Sequence, residues 1–282
     1  MKRFREVITH PLFSGSAIMV LGSNSVNALN YLYHLLMGRL LGPANYGELA
    51  ALISLIGLLG MIPGSINLAI IKYTSAAKTE ERLINLISWL RNKLFKAALV
   101  FSAVIVVSSP AISSFLHIEK PVYLILMAIF FLFSIPSMLN RAVLQGLLKF
   151  KEMILSLMVE GMIKLALSVL LVYLGFKVGG AILALIVAAI VGWYLTKLYL
   201  RYPARKHLDI LPEIKSMAIY TFPVIIYTIT ITSLYSSDLL LVKHFFSSHD
   251  AGLYAALSTL GKIIFFGAGP IGSVMFPIVS KR

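Results

Sequence analysis

Gly38-Arg39-Leu40-Leu41-Gly42-Pro43-Ala44-Asn45-Tyr46-Gly47-Glu48-Leu49-Ala50-Ala51-Leu52 is a short polar turn between two long apolar runs. Gly42-Pro43 breaks the first run, and Asn45-Tyr46-Gly47 leads into the second, which reads as a turn followed by a helix start. A weaker copy returns 205 residues later, where Gly252-Leu253-Tyr254-Ala255-Ala256-Leu257 echoes Gly47 to Leu52. The same offset carries Leu12, where the first apolar run opens, onto Met217, where the seventh opens. Gly60 and Pro63 are echoed by Gly267 and Pro270, two residues out of register. The pattern predicts a duplicated six-helix unit with only the opening third of the second copy present.

The chain is 59% hydrophobic and 13% charged, with a mean hydropathy of +0.90. It divides into stretches long enough to span a bilayer core of about 30 Å, which takes about 20 apolar residues at 1.5 Å each. Eight such segments predict an all-α, polytopic membrane protein with eight transmembrane helices: a six-helix lobe (residues 1–210) and the first two helices of a repeated second lobe (211–282). The net charge of +14 would suit nucleic acid, but Lys and Arg fall mostly in alternate loops rather than along one face. No nucleic-acid partner is expected. The absence of cysteine excludes disulfides, thiolate metal sites and cysteine nucleophiles. Met1-Lys2-Arg3-Phe4-Arg5 resembles a signal n-region, yet the long run behind it lacks a cleavage site and predicts an uncleaved first helix.

The predicted helices run over 12–37, 46–71, 94–115, 122–144, 153–174, 181–200, 217–246 and 253–280. In helix 1, Asn24, Asn27, Asn30 and His34 share one face. Lipid tails offer amides no hydrogen bonds, so this face is expected to meet either neighbouring helices or a wet cavity. The segment 72–96 reads as a basic linker. Its Leu83, Leu86, Ile87 and Leu90 also give one apolar helical face, consistent with an amphipathic surface helix. Trp193, Tyr194, Tyr199 and Tyr202 sit where an interfacial aromatic belt would lie. Counting Lys and Arg gives 19 on the side of the two termini and the 2–3, 4–5 and 6–7 loops, against 4 in the opposite loops, Arg39, Lys120, Lys177 and Lys243. The expected location is the cytoplasmic membrane with both termini cytoplasmic.

Ionisable residues at the bilayer centre cost about 3 kcal/mol on insertion scales and mark function. Glu160 lies about 10 Å and Lys164 about 16 Å into helix 5, an i, i+4 pair that is either self-neutralised or frees Lys164 as a cavity cation. Lys262, about 14 Å along helix 8, has no acid within one turn of its own helix and needs a partner from another helix, water or an anionic ligand. Asp238 shares a stripe with Thr228, Thr232 and Tyr235, oxygen ligands suited to Na⁺ or H⁺ coupling, or else lies at the outer interface. Arg39 and Glu48 are expected to face headgroups. No phosphate loop, His-Glu-x-x-His or Asp-x-Asp motif occurs. No enzyme activity, catalytic residue, metal or cofactor is expected.

Arg39-Leu40-Leu41-Gly42-Pro43-x-x-Tyr46-Gly47, Leu144-Gln145-Gly146-Leu147 and Asp250-Ala251-Gly252-Leu253-Tyr254 together resemble the multidrug/oligosaccharidyl-lipid/polysaccharide (MOP) exporter superfamily, and within it the oligosaccharide flippases of polysaccharide biosynthesis. The resemblance implies two six-helix lobes around a central cavity that opens alternately to either side. The implied substrate is a polyprenyl-pyrophosphate-linked oligosaccharide whose tails stay among the membrane lipids. Asn24, Asn27, Asn30, His34, Lys164 and Lys262 would then form the substrate cavity, and Glu160 and Asp238 the ion-coupling groups. Members carry twelve to fourteen helices, so a truncated product, a partner chain supplying the missing helices, or a degenerate copy is expected. The alternatives are a multidrug or cation antiporter of the same superfamily, or a non-transporting membrane scaffold.

Overall fold

The computed structural model describes residues 11–200 and 214–262, which are helical almost throughout, with no strand among them. Residues 11–75 form a helical hairpin, α1 (11–41) and α2 (43–75), broken at Gly42 (φ 70, ψ 169). Glycine adopts this positive φ without a Cβ clash, and Pro43, which lacks an N–H, suits the first position of the new helix. The hairpin closes with His34 Nδ1 3.2 Å from the Tyr46 hydroxyl. α3 (Glu80–Leu116) starts at Thr79, whose Oγ1 accepts the Arg82 N–H at 3.3 Å, and ends at His117 with φ 49. α4 (Val122–Gly146) and α5 (Phe150–Leu171) follow. Gly175, at φ 90, turns α5 into α6 (Lys177–Tyr199). α7 (Ile214–Phe245) leads to α8 (Ser248–Gly261), capped by Ser247, which accepts the Asp250 N–H at 3.2 Å.

Among the described residues, five helical runs are long and apolar enough to cross a membrane; two of them, Ala17–Ser75 and Phe150–Tyr199 (59 and 50 residues), fold back at Gly42 and Gly175. The helices thus follow the predicted order. Several sequence readings lie outside the described residues: Met1 to Arg5, Tyr202, the boundary at 210/211, Gly267, Pro270 and the rest of helix 8 to Lys281-Arg282.

The reading of 72–96 as a linker or membrane-surface helix is corrected. α3 is continuous from Glu80, and Leu83, Leu86, Ile87 and Leu90 are buried in one apolar cluster with Ile70, Leu144, Phe150 and Met153. Over 37 residues it is about 55 Å long, well beyond the ~30 Å core of a bilayer.

Farther along, α3 reverses the soluble pattern. Its buried face carries Ala98, Ser102, Ser109 and Ser113, while Leu99, Val100, Val104 and Val107 are exposed. Lipid is as apolar as leucine, so helices associate through close packing and small or hydroxyl residues rather than through the hydrophobic effect. Ser102 Oγ donates to the Ala128 carbonyl of α4 at 2.8 Å.

Two cores lie toward opposite ends of the bundle. One gathers Tyr33, Met37, Leu49, Leu52, Leu124, Met127 and Val178. The other gathers Met19, Ile70, Leu86, Leu139, Leu144 and Met153. On α1 the asparagines fall between Met19 of one core and Tyr33 of the other, so the polar face sits at mid-height.

The sequence repeat has a structural counterpart. α8 begins 205 residues after α2, and the equivalent glycines Gly47 and Gly252 meet. A Cβ on Gly47 would lie 2.8 Å from the Gly252 nitrogen, and one on Gly252 would lie 2.7 Å from the Pro43 carbonyl carbon. Backbone touches backbone, which only glycine permits.

Candidate functional site

A cavity of about 670 Å³ opens between the two cores. α1 supplies Asn24, Asn27, Asn30, Tyr31, Tyr33 and His34; α2 supplies Ile53 and Ile56; Phe130, Lys164, Leu185 and Thr259 come from α4, α5, α6 and α8. The helical spacing of 3, 3 and 4 places the three asparagines and His34 on one wall. Five of the six residues predicted for a substrate cavity (Asn24, Asn27, Asn30, His34 and Lys164) are therefore brought together. Among the described residues, Lys164 is the one formal cation of the lining, and no carboxylate joins it.

Lys164 donates to the Asn30 carbonyl oxygen and stands 4.7 Å from the centre of the Tyr33 ring. A charge-assisted hydrogen bond and a ring face both favour an ammonium without neutralising it. The self-neutralised Glu160–Lys164 pair considered from sequence does not form. Glu160 is instead bonded to Arg141 Nη2 of α4, and Arg141 Nε donates to Ser156 Oγ at 3.1 Å. Gly192 of α6 leaves room for this pair, since a Cβ there would lie 2.8 Å from Arg141 Nη2.

Lys262, the sixth predicted residue, is not in the lining. Its Nζ donates to the Tyr235 carbonyl at 2.6 Å and pairs with Asp238 at 3.2 Å. The partner that sequence required from another helix is thus Asp238 of α7. Asp238 also accepts from the Tyr254 hydroxyl at 3.1 Å and Ser258 Oγ at 3.2 Å, both of α8. Of its predicted hydroxyl stripe, Thr232 lies 3.4 Å from the Tyr235 hydroxyl.

A crevice of about 250 Å³ adjoins the cavity, sharing Tyr31, His34 and Thr259 with it and running between α1 and α8 past Pro43, Tyr46 and Gly252. Near it, two residues depart from expectation. Arg39 is exposed, but Glu48, expected to face headgroups, is 5% exposed, and its Oε1 accepts the Glu119 N–H at 3.0 Å. Lys243, counted from sequence as a loop cation, is 1% exposed and donates to Ser248 Oγ at 2.6 Å and the His117 carbonyl at 3.3 Å. Together these groups tie the start of α2, the α3–α4 turn and the α7–α8 turn at one end of the bundle.

Sequence reasoning missed Arg141 altogether as a site-related residue, because it counted this arginine among the 4–5 loop cations. The signal for it is Glu160, a partly buried acid within an apolar helix, whose charge calls for a partner on a neighbouring helix.

The polysaccharide biosynthesis protein family matches residues 12–282. No curated protein is similar to the chain. Among solved structures, the MATE multidrug transporter DinF-BH superposes with a TM-score of 0.80 at 15% identity, covering 98% of this chain and 66% of its own. An outward-facing multidrug-resistance MATE transporter of the MOP superfamily gives 0.66 at 15% identity, covering 98% and 68%. A MOP transporter from Pyrococcus furiosus, described by the reverse polarity of its binding pocket, gives 0.65 at 16% identity, covering 98% and 65%. At such identities the likeness shows the fold, and the chain spans about two thirds of the length of these structures. By its sequence over 12–282, the chain belongs to the polysaccharide biosynthesis protein family.

Proposed function

We propose that this chain belongs to a flippase that moves a polyprenyl-pyrophosphate-linked oligosaccharide across the cytoplasmic membrane by alternating access, with its N-terminus on the cytoplasmic side. The observation that carries the reading is the cavity lining among the described residues: one ammonium, three amides, and no carboxylate. Pyrophosphate is a multiply charged anion that an unneutralised lysine attracts strongly in a low-dielectric site. Sugar hydroxyls both donate and accept, which matches the paired donor and acceptor of each asparagine side chain. A cationic drug would call for acidic lining groups. Glu160 and Asp238, the carboxylates of the predicted site, are each held by a basic side chain. The chain acts on this reading as a carrier rather than an enzyme.

The test is equilibrium binding of a polyprenyl-pyrophosphate disaccharide to the chain in lipid nanodiscs. Hydrogen bonds to charged groups contribute about 1.5–3 kcal/mol, so Lys164→Met should weaken binding by about 10- to 150-fold. Wild-type protein that does not bind the lipid-linked sugar, or Lys164→Met protein that binds it equally, would count against the proposal.

A further inference from the structure

The geometry points to Arg141 as a positioning residue that keeps the cavity cationic: it holds Glu160 away from Lys164. This rests on the flippase reading for its consequence, but the sequestration itself is a property of three side chains.

Glu160 stands one helical turn before Lys164 on α5, with the acid N-terminal to the base, the favoured sense for an i, i+4 ion pair. In a poorly solvated setting such a pair would be strongly attractive, and left alone Glu160 would neutralise Lys164. Arg141 competes from α4. Its guanidinium meets Glu160 through Nη2 while Nε is fixed on Ser156 Oγ at 3.1 Å. A planar fork anchored at a second point holds a carboxylate better than a flexible ammonium does. The pair is partly shielded, with side chains 15% and 23% exposed, and α6 gives it space at Gly192. Among the described residues Lys164 makes no salt bridge; its partners are the neutral Asn30 and Tyr33. The cavity therefore keeps a positive charge because the acid nearest to it along the helix is already occupied. Removing Arg141, which does not line the cavity, should discharge it by releasing Glu160.

Two readouts on the full chain in nanodiscs separate this from the flippase reading. The first needs no ligand. A membrane-permeant carbodiimide condenses an adjacent carboxylate and amine to an amide with loss of one water, detectable by peptide mass. The Glu160–Lys164 lactam should be scarce in wild type and at least fivefold more abundant in Arg141→Gln. The second is binding, with polyprenyl pyrophosphate and inorganic pyrophosphate as parallel probes, so that a lipid headgroup is distinguished from a free anion. Arg141→Gln should weaken binding at least tenfold, Arg141→Gln/Glu160→Gln should return to within threefold of wild type, and Glu160→Gln alone should bind as wild type. A merely structural role for Arg141 would not be rescued by removing its partner. Equal lactam yields in wild type and Arg141→Gln overturn the inference, as does a folded double variant that fails to recover binding. If Arg141→Gln does not fold, Arg141→Lys takes its place: an ammonium holds Glu160 less firmly than the anchored fork, so the Glu160–Lys164 lactam should rise above the wild-type yield, and an equal yield overturns the inference. A lactam that appears as expected in a protein that binds neither probe supports sequestration and removes the flippase reading.

Discussion

Replacing Gly252 by alanine should part α2 from α8. A Cβ at this position would lie 2.7 Å from the Pro43 carbonyl carbon and 3.1 Å from its Cα. These are backbone atoms, so no rotamer change relieves the overlap and the helices must move by on the order of 1 Å. Overpacking of this kind costs about 1–3 kcal/mol. It opposes the gain of about 0.8–1.0 kcal/mol that alanine brings over glycine within a helix, so the sign of the effect is itself informative. The packed arrangement should lose about 5- to 150-fold in population relative to parted ones, at 1.4 kcal/mol per tenfold. The chain has no native cysteine, so nitroxide labels at Ala44→Cys and His249→Cys, both exposed, report on this seam alone. Their distance distribution should broaden to longer values in Gly252→Ala. Gly64→Ala, where an added Cβ meets nothing within 4 Å, should leave it unchanged. An unaltered distribution with an unchanged or raised melting temperature in Gly252→Ala would refute the close contact of the two repeats.

Lys243→Ala removes a buried cation from the Ser248 hydroxyl and the His117 carbonyl; a loss of about 1–3 kcal/mol should lower the melting temperature in detergent, and an unchanged one would deny the tie between the two turns. Asp238→Asn deprives Lys262 of a partner in a pair whose side chains are about a quarter exposed. Such a pair stabilises by about 1 kcal/mol at most, so stability should barely move while amine-reactive labelling of Lys262 rises severalfold; equal labelling would mean that the aspartate does not hold it. Thr79→Ala removes the cap of α3, worth about 1 kcal/mol, and should speed amide exchange in the first turn after Glu80, with no change arguing against a helix start there.

Much of this fold is legible in the sequence because lipid imposes length and periodicity together. Gly42-Pro43 marks a hairpin turn, and the Gly47/Gly252 echo turns out to be a physical contact. The asparagine face of α1 was readable because bare amides cannot face lipid. Where charge counting stood in for structure, the reading failed. Arg141 and Lys243 were tallied as loop cations, yet one pairs inside the bundle and the other is buried. Glu48 lies at the mouth between the first two helices, where sequence alone points it to the headgroups, and the Glu119 N–H that donates to it comes from a turn remote in sequence. The charged residues around Leu83 to Leu90 hid the true start of α3, whose apolar stripe packs on protein rather than on a membrane surface. Pairing across helices cannot be derived from spacing along one, so the sequence leaves Glu160 either paired with Lys164 or apart from it and gives no sign of Arg141.

The central claim is that the cavity selects an anionic headgroup, and the most direct measurement compares two ligands of similar apolar bulk in one nanodisc preparation. Polyprenyl pyrophosphate and a lipophilic quaternary ammonium are titrated against wild type and Lys164→Met, with ionic strength held fixed because exposed charges are screened. The account predicts that wild type prefers the pyrophosphate by at least tenfold and that Lys164→Met abolishes or reverses the preference. A wild-type cavity that prefers the cation, or a preference unchanged in Lys164→Met, would contradict it.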